Sequence, residues 1–252
     1  MTAARSGRPE ESTVPVEPTP VRYGPEPSQF LERWEPGGAV TRPDVLLLHG
    51  GWWRQKFDLH LNDGLAADLA GRGHRVWNAE YRRIDGGDGG WPETLTDVLA
   101  ACEAIAEAGT RPGSVVAVGH SAGGHLALLA AAGAGLAGAV ALAPIVDPVA
   151  CATEGLGEGA TPLFFGGGPD AVPSAYTAGS PLDRLPLGVP QLVVHGTEDE
   201  RVPVAHSRRY VERARALGDP VELREEVGGD HFFVLDPLHP YWAGTVDWIA
   251  QR

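Results

Sequence analysis

The sequence predicts an α/β fold in which a mostly parallel central sheet carries helices on both faces. From Val45 onward, short apolar runs alternate with longer segments that place apolar residues at helical spacing. The short runs are apolar throughout and lack the alternation of a sheet with one solvated face. Strands of this kind, separated by helices, belong to a sheet that is covered on both sides.

The strands are predicted from short apolar runs that lead into glycine or polar turns. Residues 45–48 are the clearest case, because four apolar residues precede a glycine turn at 50–51. Residues 29–34 are predicted as an edge strand. The remaining strands are predicted at residues 75–80, 114–118, 139–142, 191–195 and 221–227.

The helices are predicted from apolar residues that recur on one face. Residues 59–72 follow this spacing and are closed by Gly71 and Gly73, and residues 91–108 follow it up to Gly109. Further helices are predicted at residues 122–132, 204–217 and 241–251. Residues 147–186 break the alternation, and an insertion of this length is typical of a lid or a binding element.

Composition supports one globular domain. Of 252 residues, 43% are hydrophobic and 21% are charged, which is enough for a sizeable core. Residues 1–20 are rich in proline and have no apolar run, so they are predicted to be a disordered arm before a domain at 21–252. The charge-free run at residues 112–146 is interrupted by glycine and predicts a buried strand–helix–strand unit instead of a membrane span.

Charge and cysteine content exclude several classes of partner and site. The formal net charge is −13, which disfavours nucleic acid and anionic membranes because like charges repel. Cys102 and Cys151 have neither the number nor the spacing of a disulfide framework or a metal site. They predict reduced thiols in a cytoplasmic protein, and no motif implies a metal or a cofactor.

A serine nucleophile is predicted directly after the strand at 114–118. The motif G-x-S-x-G at residues 119–123 places Ser121 between a strand and a helix, and its small neighbours allow a sharp turn. Such a turn exposes the hydroxyl at the sheet edge, and the helix N-terminus favours negative charge there. The motif alone is weak evidence, so its position between a strand and a helix carries the prediction.

An oxyanion hole is predicted from the glycine loop after the strand at 45–48. Glycines in the sequence HGGWW at 49–53 let backbone N–H groups approach a developing negative charge. The predicted donors are the N–H groups of Gly51 and Trp52, with that of Ala122 completing the hole. An ordinary glycine turn is the alternative.

The acid and the base of a triad follow two later strands. Asp199 comes after the strand at 191–195 and is predicted to orient a histidine, with Asp147 as the competing acid. His231 follows the last strand and is predicted to take the proton of Ser121 as general base. The order serine, acid, histidine, with each residue after a separate strand, is the order of α/β-hydrolases.

The other histidines are interpreted as structural. His49 and His195 end strands beside the predicted site and are expected to support its loops, and His120 is expected to contact a neighbouring strand. Four histidines are expected to be ordinary surface residues: His60, His74, His206 and His239.

These motifs resemble the α/β-hydrolase superfamily over about residues 21–250. The matching segments are HGGWWR at 49–54, EYRR at 80–83, GHSAGGHLAL at 119–128, HGTEDERVP at 195–203 and GDHFF at 229–233. More narrowly, they are similar to kynurenine formamidase-like, feruloyl-esterase-like and hormone-sensitive-lipase-like carboxylesterases. The resemblance implies a cofactor-free serine hydrolase with Ser121, Asp199 and His231 as its triad, acting on a small ester or aryl-formamide.

Aromatic residues near the predicted loops are candidates for the substrate pocket. Such side chains suit aryl or apolar acyl groups, and core packing under the insertion is the alternative for each. The candidates are Trp53, Trp91, Phe164, Phe165 and Phe232, together with Trp52. They do not distinguish an ester from a formamide.

Two other functions remain open at this point. A peptidase of the prolyl-oligopeptidase type shares the serine motif and the HGTxD pattern, but it is ranked lower because no large N-terminal domain precedes these motifs in the sequence. A binding module without activity on a hydrolase scaffold is ranked lower still, because all three triad residues are present. A burst assay with p-nitrophenyl acetate separates this last class from an enzyme.

Overall fold

The computed structural model describes residues 17–86 and 88–252. Within them, eight strands form one sheet in the order β1-β2-β4-β3-β5-β6-β7-β8. The pairs β1·β2 and β2·β4 are antiparallel, and the other neighbours are parallel. The strands are β1 (Thr19–Arg22), β2 (Phe30–Trp34), β3 (Asp44–Leu48), β4 (Val76–Ala79), β5 (Val115–His120), β6 (Gly138–Leu142), β7 (Gln191–Gly196) and β8 (Val221–Glu226).

Helices connect the parallel strands and pack on both faces of the sheet. Their bounds are α1 (Asp63–Gly71), α2 (Glu93–Glu107), α3 (Ala122–Ala134), α4 (Pro148–Thr153), α5 (Ala160–Phe165), α6 (Pro173–Gly179), α7 (Val204–Ala216) and α8 (Pro240–Ala250). Helices α2, α3 and α7 and the insertion cover one face. Helices α1 and α8 cover the other. The predicted fold class is therefore confirmed.

The central strands show why the two faces are both buried. Along β3, Leu46 and Leu48 enter the core under α2 and α3, while Val45 and Leu47 enter the core under α1 and α8. Successive side chains of a strand point to opposite faces, so an uninterrupted apolar run serves both layers. All five residues of β3 are buried.

The insertion at 147–186 is helical and contains α4, α5 and α6. It folds over the face that carries α2 and α3, where Phe164 and Tyr176 join the main core. His125 of α3 contacts the insertion through its Nε2, which lies 2.6 Å from the carbonyl oxygen of Gly179. Burial lowers the pKa of His125 to about 4.

The boundary predicted for the N-terminal arm is wrong at its end. Thr19 and Pro20 belong to β1, which pairs antiparallel with β2 through Thr19 and Arg33 and through Pro20 and Glu32. The strand is mostly exposed and carries no apolar run, so composition alone does not reveal it. Residues 1–16 of the predicted arm lie outside the described residues. Among the described helices, none has the length and apolar character needed to cross a bilayer.

Candidate active site

Ser121 occupies a strained turn between β5 and α3. Its φ of 55° and ψ of −115° lie outside the regions that residues with a side chain ordinarily adopt. The turn is tight because a side chain at Gly119 would overlap the carbonyl oxygen of Gly123. One at Gly123 would in turn overlap that of Leu48. The predicted glycine-flanked turn is therefore present.

Two further features define the surroundings of Ser121. The backbone N–H of Ser121 donates to the carbonyl oxygen of Leu142 across 2.8 Å, which ties the turn to β6. Helix α3 starts at the next residue and runs for 13 residues, so the positive end of its dipole lies at Ser121. Negative charge that develops beside the serine is stabilised there.

Asp199 and His231 form a buried pair after β7 and β8. Nδ1 of His231 lies 2.7 Å from Oδ2 of Asp199, and His195 reaches the same oxygen with Nε2 at 3.1 Å. Oδ1 of Asp199 accepts from the backbone N–H groups of Arg201 and Val202 at 2.8 and 2.9 Å. Burial on its own raises the pKa of Asp199, but the hydrogen bonds from His195 and His231 and the charge of His231 outweigh it. They hold that pKa well below its usual range.

His120 brings His231 beside the serine turn. Nε2 of His120 is 3.0 Å from the carbonyl oxygen of His231, and the two rings are 4.7 Å apart. Because His120 directly precedes Ser121, this contact places the histidine loop next to the serine. Burial and the nearby charge of His231 lower the pKa of His120 to about 3, so its ring is neutral at pH 7.

The glycine loop after β3 presents backbone N–H groups. Gly51, Trp52 and Trp53 have φ angles of 108°, 55° and 55° in succession. Across residues 17–86 and 88–252, no hydrogen-bond acceptor meets the N–H groups of Gly51, Trp52 or Ala122. Two free donors therefore come from the glycine loop and a third from the first residue of α3, a set that can form an oxyanion hole.

Asp147, the competing acid, has other partners. Its side chain caps α4 by accepting from the N–H of Ala150 at 2.9 Å, and its other oxygen is 3.6 Å from Arg209. Asp199, and not Asp147, is the carboxylate that contacts His231.

Three of the six aromatic residues predicted to line the pocket lie in the core instead. Trp53, Phe164 and Phe165 are 0%, 1% and 4% exposed, and the ring of Trp53 stacks on that of Phe164 at 4.1 Å. The packing of the insertion on the glycine loop buries them. Trp91 is half-buried, and its backbone N–H donates to the carbonyl oxygen of Phe164 at 2.7 Å. Phe232 is 53% exposed, beside His231.

A cleft of about 290 Å³ lies between the glycine loop, the insertion and the loop that carries Asp199. Trp52 and Phe57 form its aromatic wall, and Leu156 and Gly157 contribute the insertion side. Trp52 is predicted from the sequence and Phe57 is not, because Phe57 lies beyond the motif. Only the turn of the glycine loop places Phe57 beside Trp52 in the cleft. Charged residues of both signs complete the lining: Arg54, Lys56, Glu158, Glu200 and Arg201.

Two histidines expected at the surface are buried. His74 is inaccessible and bonds the carbonyl oxygen of Pro43 through Nδ1 at 2.7 Å, and burial lowers its pKa. His206 of α7 is also buried, with Nε2 3.0 Å from Glu154 of the insertion. Both residues lie where a loop or the insertion covers a helix end, which local sequence does not indicate.

One group of potential metal ligands exists in the part of the chain that the structure describes. Atoms of Glu32, His60 and Asp63 lie within 4.8 Å of one another, with Nδ1 of His60 bonded to Asp63 at 3.1 Å. The group contains none of the residues around Ser121.

Sequence comparison identifies the family. The family model described as prolyl oligopeptidase family matches residues 65–249, which include Ser121, Asp199 and His231. The chain belongs to the prolyl oligopeptidase family. Within the α/β-hydrolase superfamily, this assignment agrees with the sheet order and with the strained serine turn. The narrower resemblance to arylformamidases is not established by the comparison.

One relative of this chain is named as an esterase. Esterase LipC of Mycobacterium tuberculosis is 27% identical over 241 residues, which cover 85% of the chain. The chain spans only 59% of the length of that relative.

Solved structures show the same fold at low identity. A truncated carbohydrate esterase from gut microbiota superposes with a TM-score of 0.80 at 18% identity, covering 94% of this chain and 97% of that one. Butyrate-bound esterase 2 of Thermogutta terrifontis superposes with a TM-score of 0.74 at 22% identity, covering 92% of this chain and 91% of that one. The prolyl oligopeptidase family member thus has the α/β-hydrolase fold.

Proposed function

We propose that the chain is a serine hydrolase that cleaves small carboxylic esters or aryl-formamides through an acyl-enzyme. The observation that carries this proposal is the meeting of three elements at one sheet edge. They are the strained Ser121 turn, the 2.7 Å pair of His231 and Asp199, and the free N–H groups of Gly51, Trp52 and Ala122. This combination supplies a nucleophile, a base and an electrostatic cradle.

Acylation begins when Oγ of Ser121 attacks the substrate carbonyl carbon. Asp199 engages Nδ1 of His231, so Nε2 is the ring nitrogen that takes the hydroxyl proton. The carbonyl oxygen becomes negative and is held by the N–H groups of Gly51, Trp52 and Ala122. Nε2 then returns the proton to the leaving oxygen or nitrogen as its bond to carbon breaks.

Deacylation repeats this chemistry with water. His231 removes a proton from water, the hydroxide adds to the acyl carbon, and the bond to Oγ of Ser121 breaks. The proton passes back to Oγ, and the carboxylic acid leaves. Asp199 keeps its negative charge throughout and stabilises the imidazolium, in agreement with the lowered pKa of that carboxyl.

The size and lining of the cleft support a small substrate. Ser121 and His231 do not line this cleft, but Trp52, one of the proposed oxyanion donors, does. Its volume of about 290 Å³ and the rings of Trp52 and Phe57 suit a short acyl or aryl group held beside the glycine loop. The relatives named as esterases, one of them with butyrate bound, support ester cleavage as the first activity to test.

Labelling with a fluorophosphonate probe tests the nucleophile. Wild type should be labelled, and Ser121→Ala should lose both labelling and turnover of p-nitrophenyl acetate. The matched control is Ser114→Ala, which changes another serine, one that lies before β5 and bonds only its own turn through the carbonyl oxygen of Arg111. Unchanged labelling of Ser121→Ala contradicts the proposal.

Parallel turnover of N-formylkynurenine and short-chain aryl esters separates the two substrate classes. A higher kcat/KM for the formamide assigns an arylformamidase, and a higher value for the esters assigns a carboxylesterase. Turnover confined to long-chain lipids contradicts both, because both proposed substrate classes are small.

A second candidate is a serine peptidase of the prolyl-oligopeptidase type. The match to the prolyl oligopeptidase family over residues 65–249 favours it. The same serine, base and oxyanion donors would cleave a peptide bond after proline, with the amine as leaving group. Release of p-nitroaniline from a glycyl-prolyl anilide faster than hydrolysis of p-nitrophenyl acetate would select the peptidase.

A further inference from the structure

His195 is a completely buried histidine whose three polar contacts all lie around Asp199. Its Nε2 is 3.1 Å from Oδ2 of Asp199 and 2.9 Å from the carbonyl oxygen of Val202. Its Nδ1 is 2.8 Å from Oγ of Ser207 on α7. Two histidines, His195 and His231, therefore meet at one carboxylate oxygen.

The partners define where the hydrogen of this imidazole lies. The carbonyl oxygen of Val202 can only accept, so Nε2 carries a hydrogen and donates it there. Oδ2 of Asp199 lies 3.1 Å from the same nitrogen and faces its positive N–H group. The hydroxyl of Ser207 can donate, so Nδ1 accepts from it. In this tautomer, both ring nitrogens of His195 are satisfied without a positive charge.

These contacts restrict Asp199 in two ways. With the N–H groups of Arg201 and Val202 on Oδ1, the close contact of the His195 N–H group with Oδ2 limits the rotation of the carboxylate so that Oδ2 faces His231. The same contact withdraws negative charge from Oδ2, because a donor to an anion stabilises the anion and makes it less basic. His195 also holds the loop itself through the carbonyl oxygen of Val202.

We infer that His195 is a positioning residue, which orients the carboxylate of Asp199 toward His231 and limits how strongly that carboxylate attracts the proton of His231. The inference rests on the proposed function for its catalytic meaning, but the contacts exist whatever the substrate is. Because His195 touches neither substrate nor Ser121, it acts through Asp199.

The surrounding charged groups do not replace this effect. His120 of β5 contacts the ring of His231, and burial and the charge of His231 lower its pKa to about 3, so it is neutral above pH 5. Nε of Arg208 on α7 donates to the carboxylate of Glu225 on β8 at 2.7 Å, and this hydrogen bond lowers the pKa of Glu225. Four exposed charged neighbours in the loops are common to every variant: Glu198, Glu200, Arg201 and Asp230.

NMR titration of His231 in labelled protein tests the inference directly. His195→Leu removes the donor to Asp199, so Oδ2 becomes more basic, the imidazolium of His231 is stabilised, and the titration midpoint of His231 should rise by about one pH unit. His195→Gln keeps an N–H donor at the position of Nε2 and should return the midpoint toward wild type. Ser207→Ala is the control, since it leaves the bond to Asp199 in place.

Kinetics provide the second readout. The kcat of His195→Leu should fall about tenfold or more while KM changes little, since substrate contacts are untouched and only the alignment of the base is lost. The acid limb of kcat/KM should move with the NMR midpoint. A folded His195→Leu variant with the wild-type midpoint of His231 overturns the inference.

If His195→Leu does not fold, the tautomer of His195 in the wild-type protein provides the test. The nitrogen spectrum of its histidines should show His195 with a hydrogen on Nε2 and none on Nδ1, and the reverse tautomer overturns the inference. Neither NMR readout needs turnover. A shifted midpoint in a protein that hydrolyses no ester, formamide or peptide would therefore contradict the proposed function and leave the positioning role standing.

Discussion

Nε2 of His49 lies 3.1 Å from Oε1 of Glu80, and both side chains are buried. His49 directly follows β3 and begins the glycine loop, so this pair ties the loop that carries the oxyanion donors Gly51 and Trp52 to the residue after β4. The hydroxyl of Tyr81 donates to the carbonyl oxygen of His49 at 2.7 Å, and their rings stack at 4.3 Å. The loop is thus held by the side chains of two residues that directly follow β4.

Glu80→Gln should destabilise the protein and slow it. The carboxylate of Glu80 accepts from the backbone N–H groups of Leu59 and Tyr81 and lies 3.4 Å from Arg83. In the variant, the neutral amide leaves the buried Arg83 without its carboxylate, and an N–H of the amide faces a backbone N–H that it cannot accept from. We expect a loss of about 3 kcal/mol in the free energy of unfolding. Urea denaturation measures it, and kcat for p-nitrophenyl acetate should fall more than KM rises.

The control for Glu80→Gln is Glu103→Gln on the exposed face of α2. Its free energy of unfolding should change by no more than about 0.5 kcal/mol. Equal effects of the two substitutions would refute the supporting role of Glu80.

Buried neutral histidines should make the fold sensitive to mild acid. In the unfolded chain histidine takes up a proton near pH 6.5, whereas burial lowers the pKa of folded His125 to about 4. Between these values the unfolded state binds more protons, so stability falls as the pH falls. His125 alone should contribute a loss of about 2 kcal/mol between pH 7 and pH 5.

Urea denaturation at several pH values measures that contribution. His125→Gln removes the titrating group, so stability should fall less steeply with acid than in wild type. His60→Gln is the comparison with the opposite sign: burial on its own lowers the pKa of His60 but Asp63 raises it against that effect, so without His60 stability should fall more steeply with acid than in wild type. A wild-type slope in His125→Gln would contradict the assignment.

Two glycines of α3 should respond oppositely to alanine. A Cβ at Gly123 overlaps the carbonyl oxygens of Leu48 and His49, so Gly123→Ala should force β3 and α3 apart and cost about 3 kcal/mol together with activity. At Gly133 the nearest atom, a methyl of Leu99, is 3.5 Å away, so Gly133→Ala should gain about 0.5 kcal/mol from helix propensity. Thermal unfolding and ester turnover check both, and a harmless Gly123→Ala would argue against a crowded serine turn.

The sheet and the positions of the candidate triad could be predicted from sequence because their signals are local. Apolar runs mark strands such as β3 and β5, and the carboxyl ends of parallel strands meet at one edge. Ser121, Asp199 and His231 each follow a different strand, so their convergence requires only the topology.

The rest depends on contacts between distant segments. Trp53 and Phe164 look like pocket residues in sequence, but the fold of the insertion stacks them in the core. His206 lies near the start of α7 and is bonded to Glu154 of the insertion, a contact that the local sequence does not indicate. β1 carries no apolar run, and its pairing with β2 alone defines it.

The most direct measurement of the central claim is a rapid-quench reaction with p-nitrophenyl acetate followed by peptide mass mapping. Wild type should release a burst of p-nitrophenol equal to the enzyme present, with an acetyl group on the peptide that contains Ser121. The burst and the acetylated peptide should both be absent from Ser121→Ala. A burst whose acetyl group maps to another residue, or steady turnover that persists in Ser121→Ala, would contradict the account.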